Sequence, residues 1–257
     1  MAGRLLLSYH GKLKSSQIQS KSSPVDLVSV ADKEAEGIIR HKLAEQLPSA
    51  GFLGEESSSK GFEECELKWV VDPLDGTSNY LSGLPIWAVS IALCRQDMTP
   101  LVGVVHAPML NKTWKALLGG GAWADGWRLS VRLDPPGGGL DNAMLATGFP
   151  YEKKDTGDRA NVGNFNRMQK RFHKIRRLGS AAVDLAYVAE GTFDGFWELE
   201  LSSWDTAAGI LLISEAGGIC QRIDGSPYTP GDYDLVTAST PELLKDIQTV
   251  LNSAGDG

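Results

Sequence analysis

Cysteine is scarce. The chain has three, Cys65, Cys94 and Cys220, widely spaced and odd in number. That argues against a disulfide framework and against a thiolate zinc site, and it leads to the expectation of reduced thiols in the cytoplasm. Long apolar runs are missing too: no stretch approaches the roughly 18 residues of a membrane span. The opening MAGRLLLSYH has one basic residue, a short apolar run and no small-residue cleavage site, which makes it a poor signal peptide; it reads as the later part of a helix. Basic charge is in deficit, with 25 Lys and Arg against 32 Asp and Glu and a formal net charge of -7. A dedicated nucleic-acid binder, which must displace phosphate counterions, is therefore disfavoured. An acidic protein that handles phosphate needs metal ions to do so. The four histidines, His10, His41, His106 and His173, show no paired ligand spacing and read as packing or surface residues. No repeat or low-complexity tract occurs.

What is present is a core. With 42% hydrophobic residues in 257, the chain can form one large domain or two closely packed lobes. Residues 29–47 place Val30, Ala35, Ile38, Ile39, Leu43 and Leu47 at helical spacing before Pro48, with Asp32 in the first turn. Short strands are expected at 67–71, 88–94 and 101–107, and the Asp-Gly of GGGAWADGWRLSV fits a turn between antiparallel strands. Pro and Gly crowd residues 133–142, the best linker candidate. Beyond it lie an expected strand at 143–147, a basic amphipathic helix near 160–172, a small-residue helix at 180–190, a strand at 195–199 and a helix at 205–216. This order suggests an α+β or layered α/β fold.

Three loops bear acids. GEE at 54–56 precedes a strand, WVVDPLDGTSNY runs from that strand into Asp72 and Asp75, and WDTAAGILL puts Asp205 at a helix start. Taken singly, Asp-Pro and Asp-Gly are turn formers and Asp205 is a helix cap. Taken together, they offer hard oxygen ligands, with the peptide carbonyl between the two strand acids, of the kind that suits magnesium, manganese or calcium. Gly76 allows close backbone approach, Thr77 supplies a hydroxyl, and a helix starting there would turn its amides toward an anion. Metal-binding acids beside an anion nest describe a phosphate-processing site.

GEES, DPLDGTSNY and WDTAAG resemble the three signature motifs of the inositol monophosphatase family, within the magnesium-dependent, lithium-sensitive phosphatases. The similarity runs from about Lys21 to Gly218 through KSSPVDLVSVAD, GVV, GGGA, GSAAVDL and SEAGG. It implies an alternating α-β-α-β-α sandwich shared with fructose-1,6-bisphosphatases, with an N-terminal α+β lobe at 1–139 and a C-terminal α/β lobe at 140–257.

The resemblance also implies roles. Glu55, Asp72 and the Leu74 carbonyl would hold a first Mg2+, and Asp72, Asp75 and Asp205 a second, with Glu55 contributing to a weaker third. Glu56 would orient its neighbour. Mn2+ would substitute, while Ca2+ and Li+ would inhibit. The Gly76 and Thr77 amides would bind phosphate, and Thr77 hydrogen-bonded to Asp32 would orient the attacking water. The Gly179, Ser180 and Ala181 turn and Glu198 would contact the substrate polyol. A Gly-Ser-Ala-Ala helix start also serves close packing, however, and an exposed acid at a strand end is ordinary. Lys21 would lie near the metal loop or in solvent.

The expected reaction is magnesium-dependent hydrolysis of a phosphate monoester by activated water, with inositol 1-phosphate ranked first. Fructose 1,6-bisphosphate, histidinol phosphate, NADP and 3'-phosphoadenosine 5'-phosphate are the alternatives. The family pattern implies a homodimer. The short acid-bearing loop after Glu55 suggests a weaker third metal site or altered lithium sensitivity. The basic segment 167–177, RMQKRFHKIRR, reads as a solvated helix face followed by a strand, or else as a dimer, phosphate, RNA or regulatory-protein surface. A binding role in transcription complexes is the reading from a different class.

Overall fold

Five layers stack in the computed structural model, which describes residues 1–20, 27–57, 64–150 and 161–253. The outer layer on one side holds helices α1 (Ala2–Tyr9) and α2 (Val30–Gln46), with a small antiparallel ribbon, β1 (Ile18–Ser20) and β2 (Leu27–Ser29), leading into α2. Ala2, Leu6, Ala31, Ala35 and Ile39 from these helices bury against Phe52, Val71, Leu74 and Val89 of the sheet below and against Trp87 just before its third strand.

That sheet has seven strands in chain order: β3 (Gly51–Gly54), β4 (Leu67–Asp75), β5 (Ala88–Arg95), β6 (Pro100–Ala107), β7 (Lys112–Leu117), β8 (Gly121–Ala124) and β9 (Trp127–Arg128). Only β3 and β4 run parallel. Asp125 and Gly126 link β8 to β9 with φ of 50 and 89, the two left-handed residues that a tight hairpin needs. The short helix α3 (Thr77–Leu81) follows β4 directly.

A second sheet of five strands is ordered β11-β10-β12-β14-β13, comprising β10 (Met144–Thr147), β11 (Lys174–Arg176), β12 (Gly195–Leu199), β13 (Ile219–Gln221) and β14 (Asp234–Ala238). Between the two sheets lie α5 (Ala181–Ala189) and α6 (Ser203–Glu215). Their sequences explain the placement. All residues of α5 but Tyr187 are buried, and α6 is buried without a break from Thr206 to Ile213, so neither has a polar face to give to water. The outermost helices, α4 (Val162–Arg171) and α7 (Pro241–Asn252), cover the far face of the second sheet through Met168, Leu243, Leu244 and Ile247, which pack against Leu145, Trp197 and Val236. The sequence-based reading of a layered α/β sandwich holds.

One expected element changes character. The strand read as ending at Val71 continues through Asp75, so the two acids belong to the strand itself. Asp72 pairs with Ser90 and Asp75 with Ala88, three steps on β4 against two on β5. In a regular strand residues i and i+3 face opposite sides. The extra residue of this bulge resets the alternation and brings both carboxylates to one side.

In the basic segment, Arg171 pairs with Asp141 and Asp246, Arg167 bonds Asn164 and the Leu251 carbonyl, and Lys174 bonds Asn142. Much of that charge serves the packing of the outer layer. The histidines lie in packing or surface positions: His10 stacks near Tyr80 and Trp87, His41 faces Glu45, and His106 bonds Thr113. None of the three cysteines is in a disulfide, and burial pushes the thiols of Cys94 and Cys220 up to about 12.

Candidate active site and metal centre

Three elements deliver three carboxylates to one point. Ligand oxygens of Asp72 and Asp75 on β4 and of Asp205 on α6 all lie within 4.8 Å of one another. Each acid spends an oxygen on the scaffold. Asp72 Oδ1 accepts from the Leu74 amide at 2.8 Å. Asp75 Oδ2 accepts from the Ala182 amide at 2.9 Å and from the Ser180 hydroxyl. Asp205 Oδ2 accepts from the Ser202 amide at 2.7 Å, closing a capping box at the start of α6. The carboxylates are thereby oriented before any ligand arrives.

Electrostatics makes this arrangement costly in the absence of a cation. Burial pushes Asp72 well above the usual carboxylate range, and the charges of Glu55, Asp75 and Asp205 push it further. Burial and then Asp75 and Glu55 do the same to Asp205. Asp75 rises to about 6, because burial outweighs the bonds from Ser180 and Ala182 that pull it down. Glu55 completes the group: it hydrogen-bonds Asp72, and its charge is felt at Asp32, Asp72, Asp75 and Asp205. A crowd of oriented, mutually repelling oxygens, buried or half-buried, fits a hard divalent cation, which repays both the burial and the repulsion.

Beside the cluster, the Thr77 hydroxyl stands 3.1 Å from Asp32 Oδ1 and 3.0 Å from the Leu74 carbonyl. Asp32 is fully buried. Its Oδ2 accepts from the Ser29 amide at 2.9 Å and the Ser29 hydroxyl at 2.6 Å, a second capping box. Burial raises Asp32, while the Ser29 and Thr77 bonds oppose the rise. Gly76 precedes Thr77 with φ of 92, and a Cβ there would lie 3.0 Å from the Ile86 carbonyl and 3.2 Å from the Gly179 carbonyl. Glycine is needed on both counts. Asn79 ties the same loop to the second half of the chain, its amide donating to Ile86 at 2.7 Å and Leu178 at 2.8 Å.

Around the rim, Gly179, Ser180 and Ala181 form the turn into α5, with the Ser180 side chain buried against Asp75. Glu198 is buried in β12, where an exposed acid was the ordinary expectation; with no side chain at Gly148 to exclude it, the carboxylate packs directly there. Burial and the Asp75 charge push Glu198 up to about 8, against the opposing pull of Arg177. Asp184 on α5 is buried behind this rim with no hydrogen-bond partner at Oδ1. Glu56 donates its amide to Glu36 Oε2 at 2.9 Å. Lys21 lies outside the described residues. Sequence reasoning missed Glu36, Asn79 and Asp184; the Ser-x-x-Asp spacing at 29–32 and 202–205 was an available signal for the two boxes.

Comparison with known proteins gives the lineage. The inositol monophosphatase family model matches residues 1–254. An inositol-1-monophosphatase of Rhizobium meliloti is 43% identical over 255 residues, covering 97% of this chain and 91% of the relative. The Nus factor SuhB of Escherichia coli is 38% identical over 253 residues, with 95% and 89% covered. Among solved structures, the extragenic suppressor protein suhB of Bartonella henselae superposes with a TM-score of 0.86 at 36% identity, covering 98% of this chain and 95% of that one. This chain therefore belongs to the inositol monophosphatase family of metal-dependent phosphoric monoester hydrolases.

Proposed function

We propose that the protein is a magnesium-dependent phosphatase acting on inositol 1-phosphate, with two or three cations held by Glu55, Asp72, Asp75, Asp205 and the Leu74 carbonyl. The observation that carries this reading is the convergence of the three aspartates within 4.8 Å beside the Thr77–Asp32 pair. When bound, magnesium supplies Lewis acidity that activates water and neutralises charge on the phosphate and leaving oxygen. The chain does the rest. Asp32 accepts a hydrogen bond from the Thr77 hydroxyl, which leaves the lone pairs of Oγ1 to orient an attacking water. The Gly76 and Thr77 amides hold phosphate oxygens at the start of α3. Glu198, with its carboxyl near 8, can donate to a substrate hydroxyl as well as accept from one.

On this reading, lobes 1–139 and 140–257 work as one catalytic unit, since Asp205 and the Ser180 support come from the second and the other acids from the first. Cytoplasmic location, a homodimer, inhibition by Li+ and Ca2+, and replacement of Mg2+ by Mn2+ belong to the same proposal. A lithium titration with ordinary millimolar-range inhibition would count against an altered third site.

The test is phosphate release from inositol 1-phosphate, fructose 1,6-bisphosphate, histidinol phosphate, NADP and 3'-phosphoadenosine 5'-phosphate, with magnesium and with EDTA. Magnesium-dependent preference for inositol 1-phosphate supports the reading. Preference for another ester replaces the substrate, and no release from any moves weight to a regulatory RNA or transcription-complex role.

A further inference from the structure

Helix α2 carries a second buried acid that the catalytic reading does not use. Glu36 stands one turn beyond Asp32 and is 4% exposed. Both of its oxygens are engaged: Oε2 accepts from the Glu56 amide at 2.9 Å, and Oε1 accepts from the Ser57 hydroxyl. The contact is built into the backbone. A Cβ at Gly54 would collide with the Glu36 carboxylate, so β3 ends on glycine where that carboxylate comes in. The rest of the loop is pinned by the Glu55 amide on the Val71 carbonyl at 3.1 Å and the Gly54 amide on the Ser57 carbonyl at 3.2 Å.

A buried carboxylate that accepts from a loop amide and a loop hydroxyl, with no cationic partner among the described residues, is an expensive way to hold a turn. Its expense makes sense if the turn must hold one side chain in one place. Glu55 lies between the Val71 anchor and the Glu36 anchor, and its charge acts on every acid of the cluster.

We infer that Glu36 is a positioning residue for Glu55. Through it, α2 fixes the cation-facing carboxylate of Glu55 with one turn and the Asp32–Thr77 pair with the turn before. The two halves of the site are thus set by one rigid element. The inference rests on the reading of Glu55 as a cation ligand, so the experiment tests the two separately.

Magnesium binding to the EDTA-stripped full-length protein is measured by calorimetry without substrate, for wild type, Glu36→Ala, Glu36→Asp, Glu36→Gln, Glu55→Gln and the Glu36→Ala/Glu55→Gln double variant. Loss of an outer hydrogen-bonding partner typically weakens a metal site by about 10–100-fold. Glu36→Ala is expected to weaken magnesium about tenfold, while kcat at saturating magnesium falls less than about threefold. Glu36→Asp keeps the charge but shortens the reach, and should match it; it serves if the alanine variant does not fold. Glu36→Gln should stay near wild type, because its carbonyl can accept from Glu56 while its amide donates to Ser57. In the Glu55→Gln background, Glu36→Ala should have little further effect. Wild-type affinity in both Glu36→Ala and Glu36→Asp overturns the inference, as does an undiminished Glu36→Ala effect in the Glu55→Gln background. Unchanged affinity in Glu55→Gln alone instead overturns the ligand reading of Glu55.

Discussion

Helices α2 and α6 begin with the same local device and put it to different ends. Each opens on Ser-x-x-Asp, and in each the aspartate reaches back to the serine amide, Asp32 to Ser29 at 2.9 Å and Asp205 to Ser202 at 2.7 Å. The box fixes one oxygen and so aims the other. In α2 that other oxygen meets the Thr77 hydroxyl. In α6 the anchored carboxylate joins Asp72 and Asp75. What differs is the neighbourhood: Asp32 has hydrogen-bond donors on both oxygens, whereas the Asp205 carboxylate faces other acids. A capping motif therefore sets orientation, and the packing around it decides the chemistry.

The sharpest way to break the parallel is to neutralise each acid. Asp205→Asn should remove several kcal/mol of charge stabilisation, lowering kcat/KM on the order of a thousandfold or more and weakening magnesium with it. Near-normal turnover in that variant would sink the metal assignment, and the same holds for Asp75→Asn. Asp32→Asn should cost less, about 10²–10³-fold in kcat, as expected for a lost proton acceptor, with magnesium affinity measured by calorimetry almost unchanged. Equal losses of magnesium affinity in Asp32→Asn and Asp205→Asn would erase the distinction between the two helices.

Removing the cation tests the acid-facing side alone. In the fold Asp75 rises from 3.8 to about 6 and Glu198 from 4.5 to about 8. The folded protein thus retains protons that the unfolded chain gives up. The resulting stabilisation is complete below about pH 4 and is lost as pH climbs through 6 and then 8. In EDTA, Tm set by these groups should fall across that window, and the gap between magnesium and EDTA samples should widen. A gap that stays constant from pH 5 to 8, followed by differential scanning calorimetry, would count against the charge-crowding account.

The smallest effects belong to the caps. Ser29→Ala should cost about 1 kcal/mol, or about 2–4 °C in Tm for a chain of this size, and Ser202→Ala only a fraction of that. Ser29→Ala should cost more, because its hydroxyl also donates to Asp32 at 2.6 Å, whereas the Ser202 bond to Asp205 runs through the backbone amide.

Much of this was legible in advance. Hydrophobic periodicity marked α2, the apolar run marked β4, and the Ala- and Gly-rich stretches marked the middle-layer helices, because each signal is local to its element. Acids in three motifs, together with the family resemblance, pointed to the residues that the fold brings together. The bulge at Asp72–Asp75 was not legible, since an extra residue in β4 is defined only against β5. Glu36 and Asn79 were hidden for the same reason: their partners, the Glu56 amide and the Leu178 carbonyl, are 20 and 99 residues away. Glu198 reads as a surface acid until the fold buries it.

The bonds from Ser180 and Ala182 to Asp75 carry a consequence for how the protein is made. Ribosomes add roughly 5–20 residues per second, so seconds separate the emergence of Asp75 from that of α5, and more pass before Asp205 appears. Throughout that interval Asp75 lacks the Ser180 and Ala182 donors and the cluster lacks its third member. On the proposed reading, tight cation loading must then wait for the finished polypeptide, and an incomplete chain is kept from acting as a stray metal scavenger.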